Sequence, residues 1–178
     1  RQMGLKVNDD LEDGVKWLVR QGIVDAKNVA IYGSGFGGFI AISSSYRNSK
    51  TYAAVASNSG ILNMYSYLKS LPPFFNVNLK FMYDIYGDPA VDNVYMNSVS
   101  PIFQADKINV PSFIYVNSKD SRINPSDAIQ LVKQLQKNKK PVTFLENQEP
   151  SFSPRRDENR QRLYSELEQF LSKNLNNK

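Results

Sequence analysis

Apolar positions along the chain recur at helical spacing in some stretches and as short continuous runs in others. The two kinds alternate. Residues 9–22 carry Leu11, Val15 and Leu18 on one helical face, with Asp9 or Asp10 able to cap the start. Residues 28–32 form a short β-rich run, and 36–46 follow as a helix. Further strands are predicted at 52–56, 111–116 and 142–146. Residues 126–136 read as a helix with Ile129, Val132 and Leu135 on one side. Residues 158–175 read as an amphipathic helix carrying Leu163, Leu167, Phe170 and Leu171. The stretch 61–100 is different: it is rich in aromatics and is interrupted by Pro72-Pro73, which predicts short helices and loops. Helices alternating with strands predict an α/β fold with a mostly parallel sheet flanked by helices. No repeat, low-complexity tract or second domain is visible, so residues 1–178 are expected to form a single domain.

The composition, 41% hydrophobic and 22% charged, is ordinary for a globular domain. No apolar run approaches the ~20 residues that span a bilayer, so no membrane span is predicted in this chain. The net charge of +5 is spread among acidic residues, and its densest cluster is Lys137-Asn138-Lys139-Lys140. That pattern lacks the basic stripe with interleaved aromatics of a nucleic-acid surface, so no nucleic-acid partner is expected. The chain has no cysteine, which excludes disulfides and thiolate metal sites but leaves the compartment open, exported or cytoplasmic. It also has no histidine. Histidine is the usual general base near neutral pH and the commonest metal ligand. The chain therefore supplies no Ser-His-Asp triad and no histidine metal site. No dense carboxylate spacing replaces one, and no metal or cofactor is expected.

The stretch NVAIYGSGFGGFIA (28–41) holds the candidate chemistry. Gly33, Gly35 and Gly38 fit G-x-G-x-x-G, the dinucleotide fingerprint, which leaves a nucleotide-binding module as one reading. That motif wants an acidic residue about 20 positions later for the ribose, and none occurs between Ala26 and Tyr83. The same stretch reads as a nucleophile elbow, G-x-S-x-G, with Gly35 at the apex where serine would stand. Small flanking residues let strand and helix approach, and Gly33, Gly37 and Gly38 meet that need. Ser34 is off the apex, since Tyr32 and Phe36 stand where a frame centred on it needs glycines. It reads as a turn residue.

Beyond the elbow, the chain resembles the prolyl oligopeptidase family of serine peptidases. DLEDGVKWLVRQGIVDAKNVAIYGSGFGGFIA is similar to the family's helix, loop, strand and elbow. YGDPAVDNVYMNSVSPIFQADKINVPSFIYVNSKDSRINPSDA is similar to its later segment, with a Y-G-D-P loop, S-P, a strand and then D-x-R near the catalytic acid. KKPVTFLENQEP resembles the last strand, which leads to the catalytic histidine. The resemblance implies an α/β-hydrolase fold. It puts Gly35 at the nucleophile position and Asp120 at the acid position. The histidine position falls at Pro150 or Ser151, to within one residue of register. It further implies an oxyanion hole built on the backbone N–H of Phe36. The implied apolar substrate pocket includes Phe36, Ile61, Met64, Tyr67, Arg122 and Ile123. Several strands, the oxyanion tyrosine and a propeller precede this region in the family. The chain is therefore expected to be the C-terminal, N-terminally incomplete part of an α/β-hydrolase domain.

With two of three catalytic positions empty, the resemblance implies a non-catalytic domain that binds a protein or peptide, or self-associates. A serine hydrolase of the same fold with atypical residual activity is the enzyme-class alternative.

Overall fold

In a computed structural model of the chain, the described residues are 5–47, 50–120, 122–148 and 157–175. Four strands, β1 (Ala30–Ser34), β2 (Ala54–Asn58), β3 (Ser112–Asn117) and β4 (Val142–Asn147), form one sheet in the order β1-β2-β3-β4. Every pairing is parallel. Helix α1 (Lys6–Arg20) precedes the sheet, and α2 (Phe36–Arg47) joins β1 to β2. Three short helices lie between β2 and β3: α3 (Met64–Ser70), α4 (Leu79–Tyr86) and α5 (Asn93–Val99). Helix α6 (Pro125–Lys137) joins β3 to β4, and α7 (Asp157–Leu175) follows.

The two central strands are buried along their whole length. Their alternate residues serve two cores. Val55, Ile114 and Val116 pack with Ile42 of α2 and with Leu131 and Leu135 of α6. Ala54, Ala56, Phe113 and Tyr115 pack with Leu163, Leu167 and Phe170 of α7. A strand covered on both faces has no polar side to show, which is why β2 and β3 read as continuous apolar runs. In α7, Leu163, Leu167 and Phe170 fall four and three apart, so they share the stripe that meets the sheet.

The first two strands lie two residues later than their apolar runs predict. Parallel pairing continues through Gly33↔Ser57 and Ser34↔Asn58, carrying both strands up to the turn. Helix α1 starts earlier than predicted. Leu5 occupies its N-cap position without a side-chain hydrogen bond, and Asp9 pairs with Arg47 at 3.0 Å instead of capping. Of the predicted apolar stripe, Leu11 is 44% exposed, while Val15 packs against the core that holds Ile42 and Leu18 is partly buried. The buried residue is Asn8, whose Nδ2 donates to the Ile40 carbonyl and to the Ser43 and Ser44 hydroxyls at 3.1, 2.9 and 2.9 Å. A polar seam of α2 thus sets how α1 docks. In α6, Asn124 Oδ1 accepts from the Ser126 N–H and Pro125 opens the first turn. Leu131 and the predicted Leu135 are both fully buried, whereas the predicted Ile129 is only partly buried.

Candidate functional site

The loops that leave β1, β2 and β3 converge at the carboxyl ends of the strands. This is where open parallel sheets hold ligands. After β1 the backbone turns at Gly35, whose φ is +56°, and α2 starts at the next residue. The Gly35 N–H donates to the Asn58 carbonyl (3.0 Å), and the Gly35 carbonyl accepts from the Phe39 N–H (3.1 Å). One residue therefore closes both the strand and the first helical turn. A positive φ of this size favours glycine.

The approach of helix to strand is equally demanding. A Cβ on Gly33 would lie 2.2 Å from the backbone of Gly37, and one on Gly38 would lie 2.6 Å from Ser57 Oγ. A Cβ on Gly60 would lie 2.3 Å from the same hydroxyl. Gly37 needs no such clearance for itself, because a Cβ there meets nothing within 4 Å; it is the wall that Gly33 presses against. Gly35 also has no atom within 4 Å of an added Cβ. A side chain at the apex would point into open space, and that space is a cavity of about 470 Å³.

Of the residues predicted for the site, Gly35, Phe36, Ile61, Tyr67, Asp120, Arg122 and Ile123 line this cavity. Ser34, at the end of β1, also lines it. Met64 does not. It is 1% exposed and packs among Phe39, Leu68, Met96 and Val99, while its N–H donates to Ser100 Oγ at 2.9 Å. The reason is helical phase. Met64 and Leu68 form the core-facing stripe of α3, whereas Tyr67 and, one turn on, Leu71 form the stripe that faces the cavity. Ser151 and Pro150, at the predicted histidine position, lie outside the described residues.

Sequence reasoning missed Ser59, Leu71, Pro72, Phe75 and Tyr86, which complete the lining. The i+4 spacing from Tyr67 could have found Leu71. Ser59 directly precedes Gly60 and holds φ at +48°, while its N–H donates to the Tyr115 carbonyl (2.9 Å). A non-glycine residue in that region marks a site fixed by its surroundings. Pro72 and Phe75 come from the stretch between α3 and α4, whose path has no periodicity to read, and Tyr86 is the last residue of the short helix α4.

The lining is aromatic on one side. The Phe36 and Tyr86 rings meet edge-on at 6.5 Å between centroids, and Tyr67 meets Tyr86 edge-on at 5.7 Å. Burial pushes both tyrosine phenols above their ordinary pKa, so they remain neutral donors near pH 7. On the other side, Asp120 is held by Arg122 in a two-pronged pair. Arg122 Nε donates to Oδ1 at 2.9 Å and Nη2 donates to Oδ2 at 2.7 Å, while the Arg122 backbone N–H also reaches Oδ1 at 2.9 Å. The Asp120 side chain is 1% exposed, and that of Arg122 is 65% exposed. The hydrogen bonds to Asp120 hold the guanidinium pKa above its already high value. Phe36 is the first residue of α2, so its backbone N–H belongs to the first-turn amides that have no intrahelical acceptor.

Among the described residues no group of three or more potential metal ligands occurs, and no helix is long and apolar enough to cross a membrane.

A parallel sheet between helix layers, a strand–glycine–helix elbow, and a cavity over the strand ends that takes in the elbow and the D-x-R loop define an α/β-hydrolase domain. The chain belongs to the prolyl oligopeptidase family, whose model matches residues 1–178. It is 28% identical over 172 residues to dipeptidyl aminopeptidase BIII of Pseudoxanthomonas mexicana, covering 96% of this chain and 25% of that protein. It is 27% identical over 177 residues to dipeptidyl peptidase family member 6 of Caenorhabditis elegans, covering 98% of this chain and 24% of that protein. The chain thus spans about a quarter of these relatives' length. The fold matches a puromycin-hydrolysing peptidase of Mycobacterium tuberculosis with a TM-score of 0.89 at 21% identity, over 98% of this chain and 26% of that one. It matches the acylaminoacyl peptidase of Pyrococcus horikoshii with a TM-score of 0.85 at 18% identity, over 99% of this chain and 29% of that one.

Proposed function

We propose that this domain is a non-catalytic member of its family that uses the cavity at the elbow to bind a peptide or a protein segment. The observation that carries the reading is Gly35. It stands at the apex, with φ +56° and open space where a nucleophile's side chain would project. A glycine offers no hydroxyl to attack a carbonyl, and the chain has no histidine to activate another one. Asp120, the residue at the acid position, spends both carboxylate oxygens on Arg122. What remains is a shaped cavity of about 470 Å³ with aromatic walls and a polar rim, within the size range of ligand pockets. The names of the curated relatives are those of dipeptidyl peptidases, which supports a peptide as the ligand class.

The test is hydrolysis of an activated ester and of short peptides by the full-length protein, unmodified and as Gly35→Ser. Neither form is expected to cleave peptides. Serine restores a hydroxyl but no base, and general-base help contributes typically ~10²–10⁴-fold. Serine at φ +56° also lowers stability by about 1 kcal/mol, read from the urea midpoint. Robust peptide cleavage by either form would overturn the reading. By the unmodified protein, it would point to the Ser34 or Ser59 hydroxyl that lines the same cavity.

A further inference from the structure

We propose that the face formed at the amino ends of the strands, on the opposite side of the domain from the elbow, is a docking surface for an anionic lipid membrane. The inference is independent of the non-catalytic reading above.

Three observations carry it. First, the fold gathers charge that is scattered along the sequence. All four strands are parallel, so the segments leading into them arrive at one end of the sheet. The Ala53, Val55 and Ser112 N–H groups donate to the Val29, Pro111 and Pro141 carbonyls, which sets those segments side by side. Residues 20–29, 50–53, 104–111 and 137–141 carry seven lysines and arginines against two acids, Asp25 and Asp106. That excess matches the whole chain's net charge of +5. Arg20, Lys27, Lys50, Lys107, Lys137 and Lys139 are exposed. Lys107 and Lys140 donate to the amide oxygens of Gln104 and Asn109, which are neutral and leave their charge uncancelled. Neighbouring strands lie ~4.8 Å apart, inside the ~8 Å Debye length of physiological salt, so these charges act jointly. Second, the end of α1 and the segment before β2 enclose a cavity of about 300 Å³ at this face. Val15, Val19 and Ala26 give it apolar walls, and Arg20 and Lys50 give it charge. Lys16 also lines it, but its ammonium is held by Glu12 and Asp13 at 3.0 and 3.7 Å. Arg20 and Lys50 are the cations this cavity offers to a phosphate carried on an apolar stem, as in a lipid headgroup. Third, Ile23 and Trp17 stand 62% and 51% exposed within one turn or one loop of Arg20. Apolar tips among cations suit a membrane interface, where the tips sink below the headgroups and the cations stay at the phosphates. A soluble polyanion has no use for Ile23. A domain docked this way turns the elbow cavity toward water.

The test is co-sedimentation of the full-length protein with vesicles of phosphatidylcholine alone and of phosphatidylcholine mixed with phosphatidylserine. A duplex oligonucleotide, followed by fluorescence anisotropy, serves as the soluble polyanion. Partition onto the phosphatidylserine vesicles is expected to exceed that onto phosphatidylcholine about tenfold or more, and to fall severalfold between dilute buffer and ~0.15 M salt. The triple variant Lys107→Gln/Lys137→Gln/Lys139→Gln should lower that partition by about tenfold or more, since each cation near an anionic surface adds to the attraction. Its urea midpoint should stay close to that of the unmodified protein, because all three side chains are exposed. Ile23→Ser should weaken partition severalfold and leave its salt dependence in place. Equal partition onto both vesicle types, no partition onto either, or a triple variant that partitions like the unmodified protein overturns the proposal. Binding of the oligonucleotide with no partition onto vesicles also overturns it, and gives the face to a soluble polyanion.

Discussion

The elbow and the aromatic wall face each other across one cavity, yet they are built on opposite principles. The elbow is backbone against backbone. Gly33, Gly38 and Gly60 sit where any side chain would strike main chain or Ser57, and Gly35 fixes the turn with a positive φ. The wall is side chain against side chain, set on short helices by the apolar contacts of Met64, Leu68, Met96 and Val99. The first can hardly vary without breaking the fold, whereas the second can change its lining and keep its frame. The chain has followed that division in an unexpected direction. On the proposed reading, the rigid element keeps its geometry and omits the hydroxyl, while the wall still lines a cavity of about 470 Å³.

The comparison predicts effects of very different size. The largest is steric. Gly33→Ala would place a methyl 2.2 Å from the Gly37 backbone, and neither segment can yield without moving β1 or α2. We expect a loss of about 3 kcal/mol, at the upper end for overpacking, seen as a lower urea midpoint at every pH. A loss below about 1 kcal/mol would show the elbow to be softer than described.

The smallest effect belongs to the wall's anchor. Asp127 of α6 accepts a short hydrogen bond from Ser66 Oγ of α3 and so ties Tyr67's helix to the loop that carries Ile123. Burial pushes the Asp127 carboxyl above the usual aspartate range, while hydrogen bonds from Ser66 and Asn63 pull it partly back. The folded state then holds this proton to higher pH than the unfolded chain does. Stability should therefore fall as pH rises from the ordinary aspartate value through the raised one. Asp127→Asn should flatten that slope, and Ser66→Ala should steepen it by removing a bond that favours the ionised form. A slope unchanged in Asp127→Asn would show that this carboxyl does not titrate differently on folding.

How much of this the sequence shows follows the same division. The elbow is legible because close backbone approach demands glycine at fixed spacing, and each such glycine is a visible letter. Gly60 is the exception: it stands alone, and its need arises only when β2 comes to lie against α2. The central strands are legible because burial on both faces leaves a continuous apolar run. Helix α1 is misread in detail because its docking depends on a buried asparagine, Asn8, which no apolar pattern reveals. Half of the wall is legible through Tyr67 and Ile61, and Met64 is drawn in wrongly from the neighbouring stripe of the same helix. Phe75 is placed by the path of the chain between α3 and α4, which leaves no periodic trace, and Tyr86 by how the short helix α4 lies against Tyr67. The Asp120–Arg122 pair is readable as D-x-R, but its two-pronged closure is a matter of rotamers.

The central claim is that the elbow holds a binding cavity without a nucleophile. The most direct test treats the full-length unmodified protein with a fluorophosphonate probe, which reacts only with an activated serine, and follows labelling by intact mass and peptide mapping. The account predicts no labelling above that of the heat-denatured protein. Stoichiometric labelling of Ser34, Ser59 or any other serine at the cavity would contradict it.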